Sequence, residues 1–127
     1  MIILALDTTL ASCSAALFDA GAGRMLAARQ LLMDKGHAEA IAPLVQRCLQ
    51  EAGVWPSSIA RIAVTNGPGT FTGLRIGLSL AHGMGLALGC DVVGLDTLTA
   101  TSAPFLGKVR ELVVVHQAGA TGKFYAG

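Results

Sequence analysis

Apolar and polar positions follow two different rhythms along this chain. "IILALD" (2–7) and "SCSAALF" (12–18) are short apolar runs suited to buried strands, separated by a tight turn at Thr8 to Ala11. "DAGAG" (19–23) reads as a second turn and "RMLAARQLL" (24–32) as a third strand. Leu, Ala, Arg and Gln also favour helix, but two hairpin-like turns precede the segment, so an antiparallel meander is preferred. The spacing then lengthens. Ile41, Leu44, Val45, Cys48 and Leu49 fall at i, i+3, i+4, i+7 and i+8, predicting an amphipathic helix over 38–52 that stops at Gly53. Pro43 removes one backbone donor and is expected to kink its first turns. "ARIAVTNG" (60–67) is another strand, followed by a glycine-rich loop and a helix over 73–89. "CDVVGLD" (90–96) is a short strand and "TLTATSAPF" a short helix. "KVRELVVVHQ" is a strand, "AGATG" (118–122) a turn, and "KFYAG" the start of the returning strand.

The order β-β-β-α-β-α-β-α, then a new hairpin, predicts an α/β fold: one mixed sheet carrying helices. Residues 1–105 read as a first lobe and 106–127 as the opening hairpin of an incomplete second one. The last strand would be an exposed edge, so the expectation is either a fragment or a chain completed by a partner.

Composition narrows the function. The chain has 127 residues, of which 53% are apolar, 13% charged and 5% aromatic. That excludes a disordered protein and points to surface hidden in contacts beyond the chain's own core. With a net charge of +1 and scattered cations, the basic stripe that holds RNA phosphates is missing, so direct, strong nucleic-acid binding by this chain alone is not expected. Cys13, Cys48 and Cys90 form no C-x-x-C pair and fit small buried hydrophobes in a reducing cytoplasm. The uncharged run from Ile76 to Cys90 is shorter than the roughly 20 residues of a membrane span and contains Ser79 and His82. A cytoplasmic chain without membrane contact is expected.

"TNGPGTFTGLRIG" (65–77) is the least ordinary stretch. Leu74 and Arg75 follow Gly73, so the lysine and hydroxyl of a P-loop are absent, and Gly67, Gly69 and Gly73 miss the dinucleotide spacing by one residue. Two readings remain: Thr70 or Thr72 caps the next helix, or the loop, with Gly67, Gly69 and Thr70, meets a phosphate at the helix start. Beyond it, Gly73, Gly77, Ala81, Gly85 and Gly89 recur every four residues as one slanted row. Glycine costs up to about 1 kcal/mol against alanine in a helix, so a close backbone approach must compensate. Either a neighbouring molecule or the chain's own sheet can supply it. Asp7 with Thr8 reads as a turn-forming pair at the first hairpin; a nucleotide or cation role for Asp7 rests on family resemblance. His37, His82 and His116 share no metal-ligand spacing, and His37-Ala38-Glu39 lacks the P-C-x-x-C of a zinc deaminase. No catalytic or metal-binding residue is assigned.

"ILALDTTLASCSAALF", "HAEAIAPLVQRCLQEAG", "IAVTNGPGTFTGLRIG" and "GMGLALGCDVVGLDTLTA" together resemble the TsaB (also called YeaZ) family over nearly the whole chain. The resemblance implies an actin-like ATPase, ribonuclease H-like fold of two lobes. It implies a non-catalytic scaffold or dimerisation subunit in the making of threonylcarbamoyladenosine beside the tRNA anticodon. TsaD would be the catalytic partner, TsaE would join through the complex, and a homodimer would form in isolation. Where the catalytic relative carries an H-x-x-x-H metal pair, this chain has Thr97 and Thr101, poor ligands for a transition metal. Asp7, Thr8 and Thr9 would occupy the first phosphate loop of actin-like ATPases. No cofactor is expected on this chain alone, with ATP reserved for the complex boundary. Gln117 and Gly119 depart from the Asp and Arg common in the family, which leaves a pocket between lobes incomplete. The expected interface comprises Ile41, Leu44, Val45, Gly73, Gly77, Ala81 and Gly85. The alternative reading, a small-molecule kinase or ATPase of the same superfamily, needs a second phosphate loop and a catalytic carboxylate. A peptidase ranks last, since no serine or cysteine has a recognisable base partner.

Overall fold

Strands β1 (Ile2–Leu10), β2 (Ser12–Asp19) and β3 (Arg24–Leu32) form the antiparallel meander that the alternating pattern predicts. The computed structural model describes residues 1–10, 12–33, 35–103, 115–118 and 123–126. Helix α1 (His37–Ala52) crosses to β4 (Ile59–Thr65), and α2 (Phe71–Leu88) crosses from β4 to β5 (Asp91–Leu95). Both crossovers build parallel pairs, β1 with β4 and β4 with β5, giving the sheet order β3-β2-β1-β4-β5. Helix α3 is Thr97–Ser102. Strands β6 (Val115–Ala118) and β7 (Lys123–Ala126) pair antiparallel in a separate two-stranded sheet. The expected strand over 108–117 is seen from Val115 onward; its earlier part, most of the turn at 118–122 with Gly119, and the side chains of Thr101, His116 and Gln117 lie outside the described residues.

Period-two alternation decides the core. Leu4, Leu6 and Thr8 of β1 face the same way as Leu17, Ala15 and Cys13 of β2 and Ile62 and Val64 of β4, and all are buried. On that face α1 covers β2 and β3 while α2 covers β1, β4 and β5. Burying one Leu or Ile here contributes about 2 kcal/mol. The helix alternative for 24–32 loses because β3 pairs with β2 from Arg24↔Asp19 to Leu32↔Ser12, with one bulge. Tertiary pairing overrides the local propensity of Leu, Ala and Gln.

Helix α1 buries Ile41, Leu44, Val45, Cys48 and Leu49, the predicted stripe. It runs through Pro43, which sits on its exposed side. Gly53, at φ 66°, ends it in the left-handed region, and the N–H groups of Gly53 and Val54 reach back to the carbonyls of Gln50 and Leu49 at 3.2 and 3.0 Å. Arg29 on β3 pairs with Glu51 on α1.

Candidate functional site

The end of β1 and the glycine loop after β4 meet at the carboxyl ends of these two central parallel strands. Asp7 Oδ1 accepts three hydrogen bonds: from the Thr9 N–H at 2.9 Å, the Thr9 hydroxyl at 2.6 Å and the Thr65 hydroxyl at 2.8 Å. The carboxylate therefore closes the β1–β2 turn and ties it to the end of β4. Thr8 is 1% exposed, and its hydroxyl donates to the Gly73 carbonyl at 2.6 Å. Thr70 caps α2, its Oγ1 accepting from the Gly73 N–H at 3.1 Å. Gly73 is thus held at its donor by the neighbouring Thr70 and at its acceptor by Thr8, distant in sequence.

The rest of the loop is anchored on its other side. The Asn66 N–H donates to the Leu95 carbonyl and the Thr97 N–H to the Gly67 carbonyl, both at 2.8 Å. Gly67 has φ 118° and precedes Pro68 through a cis peptide. A Cβ at Gly69 would stand 2.7 Å from Thr9 Cβ, so only glycine allows the loop to lie against the β1 turn. Asp96 Oδ1 caps α3 by accepting from the Thr99 N–H at 2.8 Å.

Asp7, Thr8, Thr9, Gly67, Gly69 and Thr70 are therefore brought together, and of the two readings of the loop this geometry realises the cap. The hydroxyls of Thr8 and Thr9 and the N–H of Thr9 are engaged inside the chain. Gly69 lies against Thr9, so the glycine loop and the β1–β2 turn are packed together. Sequence reasoning missed Thr65, the third donor to Asp7; a polar residue ending an apolar strand was its only signal.

The expected interface requires correction. Gly73, Gly77, Ala81 and Gly85 are the inward face of α2, all buried against the chain's own sheet. A Cβ at Gly77 would lie 2.6 Å from Thr8 Oγ1, and one at Gly85 2.5 Å from Val92 Cγ2. Ile41, Leu44 and Val45 are likewise core, 3–4% exposed. The close approach that compensates the glycines is made by β1, β4 and β5. An amphipathic stripe and a small-residue row are satisfied first by the nearest sheet, which sequence periodicity cannot distinguish from a partner.

Outward, the two helices offer a set of residues that, Ile41 apart, differs from the predicted one. Ala38, Ile41 and Ala42 of α1 with Thr72, Arg75, Ile76, Ser79 and Leu80 of α2 line a groove of about 450 Å³. Phe71 (74% exposed) and Leu86 (88%) project from the same helix, and the Arg75 guanidinium lies 5.2 Å from the Phe71 ring centroid. The signal was present as the stripe Thr72, Arg75 and Ser79, complementary to the glycine row, in a helix whose only Lys, Arg, Asp or Glu is Arg75.

Cys13 and Cys48 are buried, and burial pushes both thiols above their ordinary range; the Asp7 carboxylate adds to the rise at Cys13. The Cys48 thiol donates to the Ala15 carbonyl at 3.5 Å. Both behave as small core residues. Among the described residues no group of three or more His, Cys, Asp and Glu is placed to hold a metal ion. Thr97, at the position compared with a ligand histidine, is fully buried at the start of α3. No helix among the described residues is long and apolar enough to cross a membrane.

Comparison with known proteins adds to this geometry. The family model described as TsaD, tRNA N6-adenosine threonylcarbamoyltransferase, matches residues 31–127. The tRNA threonylcarbamoyladenosine biosynthesis protein TsaB of Escherichia coli is 38% identical over 98 residues, covering 77% of this chain and 41% of that protein. The chain spans about two fifths of the length of the first curated relatives it matches. The structure of YeaZ from Pseudomonas aeruginosa superposes with a TM-score of 0.77 at 28% identity, covering 99% of this chain and 64% of that one. A hexokinase of Thermus thermophilus shares the fold alone, at TM-score 0.56 and 24% identity over 84% of this chain and 38% of that one. The mixed sheet with its flanking helices is the actin-like fold that the motifs implied.

Proposed function

We propose a role on the premise that this chain belongs to the family of TsaD, tRNA N6-adenosine threonylcarbamoyltransferase, and matches its TsaB/YeaZ members. The role is that of a non-catalytic scaffold subunit in the cytoplasmic complex that installs threonylcarbamoyl on tRNA adenosine. TsaD would be its direct partner. TsaE and tRNA would be reached through that complex, and a second copy would pair by the same surface when TsaD is absent. The β6–β7 hairpin opens the second lobe in this reading.

The outward surface of α1 and α2 carries the proposal. Phe71 and Leu86 stand in water on an 18-residue helix that has one formal charge, and the groove beside them is lined mainly by small and aliphatic side chains. Desolvating such a surface against another helix pair gains apolar burial and strands few charges. Apart from Ile41, its residues differ from the predicted set while the two helices are the same.

Reconstitution tests the role: TsaD, TsaE and the threonylcarbamoyl-AMP synthase with tRNA, reading modified adenosine with and without this chain. Modification that requires the chain supports it; undiminished modification without it refutes it. Capture on immobilised TsaD tests the surface. Ala42→Glu and Ser79→Glu, both at exposed positions, should abolish capture without lowering the melting temperature, and capture retained by the double variant would rule the groove out.

A further inference from the structure

Resting on the reading of the α1–α2 groove as the partner surface, we infer that Arg75 decides which partner fits it. The occupant is a protein that sets an Asp or Glu side chain, among small and aliphatic neighbours, against the Arg75 guanidinium, in preference to a second copy of this chain. Arg75 carries the only formal charge among the residues lining the groove and is the only Lys, Arg, Asp or Glu of α2. Its guanidinium lies 5.2 Å from the Phe71 ring centroid, and among the described residues no carboxylate pairs with it. The ring takes one face of the guanidinium plane. The N–H donors lie round the edge of that plane, in the fork that meets a carboxylate with two parallel hydrogen bonds.

Charge complementarity therefore selects the occupant. Closing the groove under a wholly apolar surface strips water from a cation that has no acceptor, which is costly. A partner carboxylate removes that cost, and a partner cation adds repulsion. A second copy fails the same criterion. A two-fold contact presents one patch from both sides, and none of the residues lining the groove is acidic. The carboxylates of α1 are engaged elsewhere. Glu51 is paired with Arg29. Glu39 sits in the first turn, with its Oε2 3.5 Å from where a Cβ on Gly36 would stand, so its carboxylate turns back over the helix start. Two Arg75 side chains would then be desolvated with no acceptor from either groove, which rejects the wrong partner by charge.

Arg75→Gln removes the charge at an exposed helical position, and Arg75→Lys keeps it; both should melt with the wild type. Capture on immobilised TsaD and sedimentation equilibrium of the chain alone are measured in parallel. Arg75→Gln should lose about tenfold in capture at about 0.05 M NaCl and clearly less at about 0.5 M, where exposed charges are screened. Arg75→Lys should lose less than Arg75→Gln, and self-association of Arg75→Gln should equal or exceed that of the wild type. A side chain that merely packs would weaken both assemblies together and ignore salt. Equal capture of wild type and Arg75→Gln, an equal loss at both salt concentrations, or a parallel loss of self-association would overturn the inference while leaving the groove in place. No capture of the wild type at all would remove the reading of the groove, and this inference with it.

Discussion

Replacing Gly77 with alanine puts a methyl carbon 2.6 Å from Thr8 Oγ1 and 3.4 Å from Val64 Cγ2, where ordinary contact begins near 3.4 Å. The hydroxyl cannot simply rotate away, because Thr8 is buried and donates to the Gly73 carbonyl. Overpacking of this kind costs about 1–3 kcal/mol, and loss of the hydrogen bond adds about 1 kcal/mol. Against this, alanine gains about 1 kcal/mol of helix propensity. The net is a loss of about 2 kcal/mol, or roughly 5–10 °C in Tm. Gly83 supplies the control in the same helix: it is exposed, and a Cβ there meets nothing within 4 Å. Gly83→Ala should stabilise by about 1 kcal/mol, so the two variants should differ by about 3 kcal/mol in urea unfolding followed by circular dichroism at 222 nm. If Gly77→Ala proves as stabilising as Gly83→Ala, the row is not seated on Thr8, and the claim that the chain's own sheet occupies it fails.

Asp7→Ala leaves two hydroxyls and one N–H without their acceptor; it should cost about 2–3 kcal/mol, with Asp7→Asn milder because one carbonyl oxygen remains. Equal unfolding midpoints for wild type and Asp7→Ala would contradict the tie between β1 and β4. The buried thiols set an alkaline limit. Burial raises the folded pKa of Cys13 and Cys48 above the ordinary value of 9.0, so the unfolded chain releases these protons first. Stability is therefore unaffected below that value and falls as pH climbs from it toward the folded pKa. Urea midpoints at about pH 8 and about pH 10, which bracket the thiol range, should differ less in Cys13→Ala/Cys48→Ala than in wild type; an identical alkaline loss in both proteins would refute the attribution.

Much of the architecture was legible in the amino-acid order because each local rule agreed with its neighbours. The apolar stripe of α1 was read residue by residue, and Gly53 stopped the helix as its left-handed φ requires. The Thr70 cap was one of two candidates that free helix N–H groups allow. The resemblance set Asp7, Thr8 and Thr9 in one loop, and the structure brings that loop against Gly69 and Gly73. By itself, then, the sequence determined which segments are strands and helices, which faces are apolar, and where backbone must come close to something. Periodicity reports the need for a neighbour and says nothing of its identity. Only the tertiary structure decided that question: the crossovers laid α1 and α2 side by side on the sheet, so the glycine row met Thr8, Val64 and Val92. The opposite sides of the same helices, with Thr72, Arg75 and Ser79, were left facing outward.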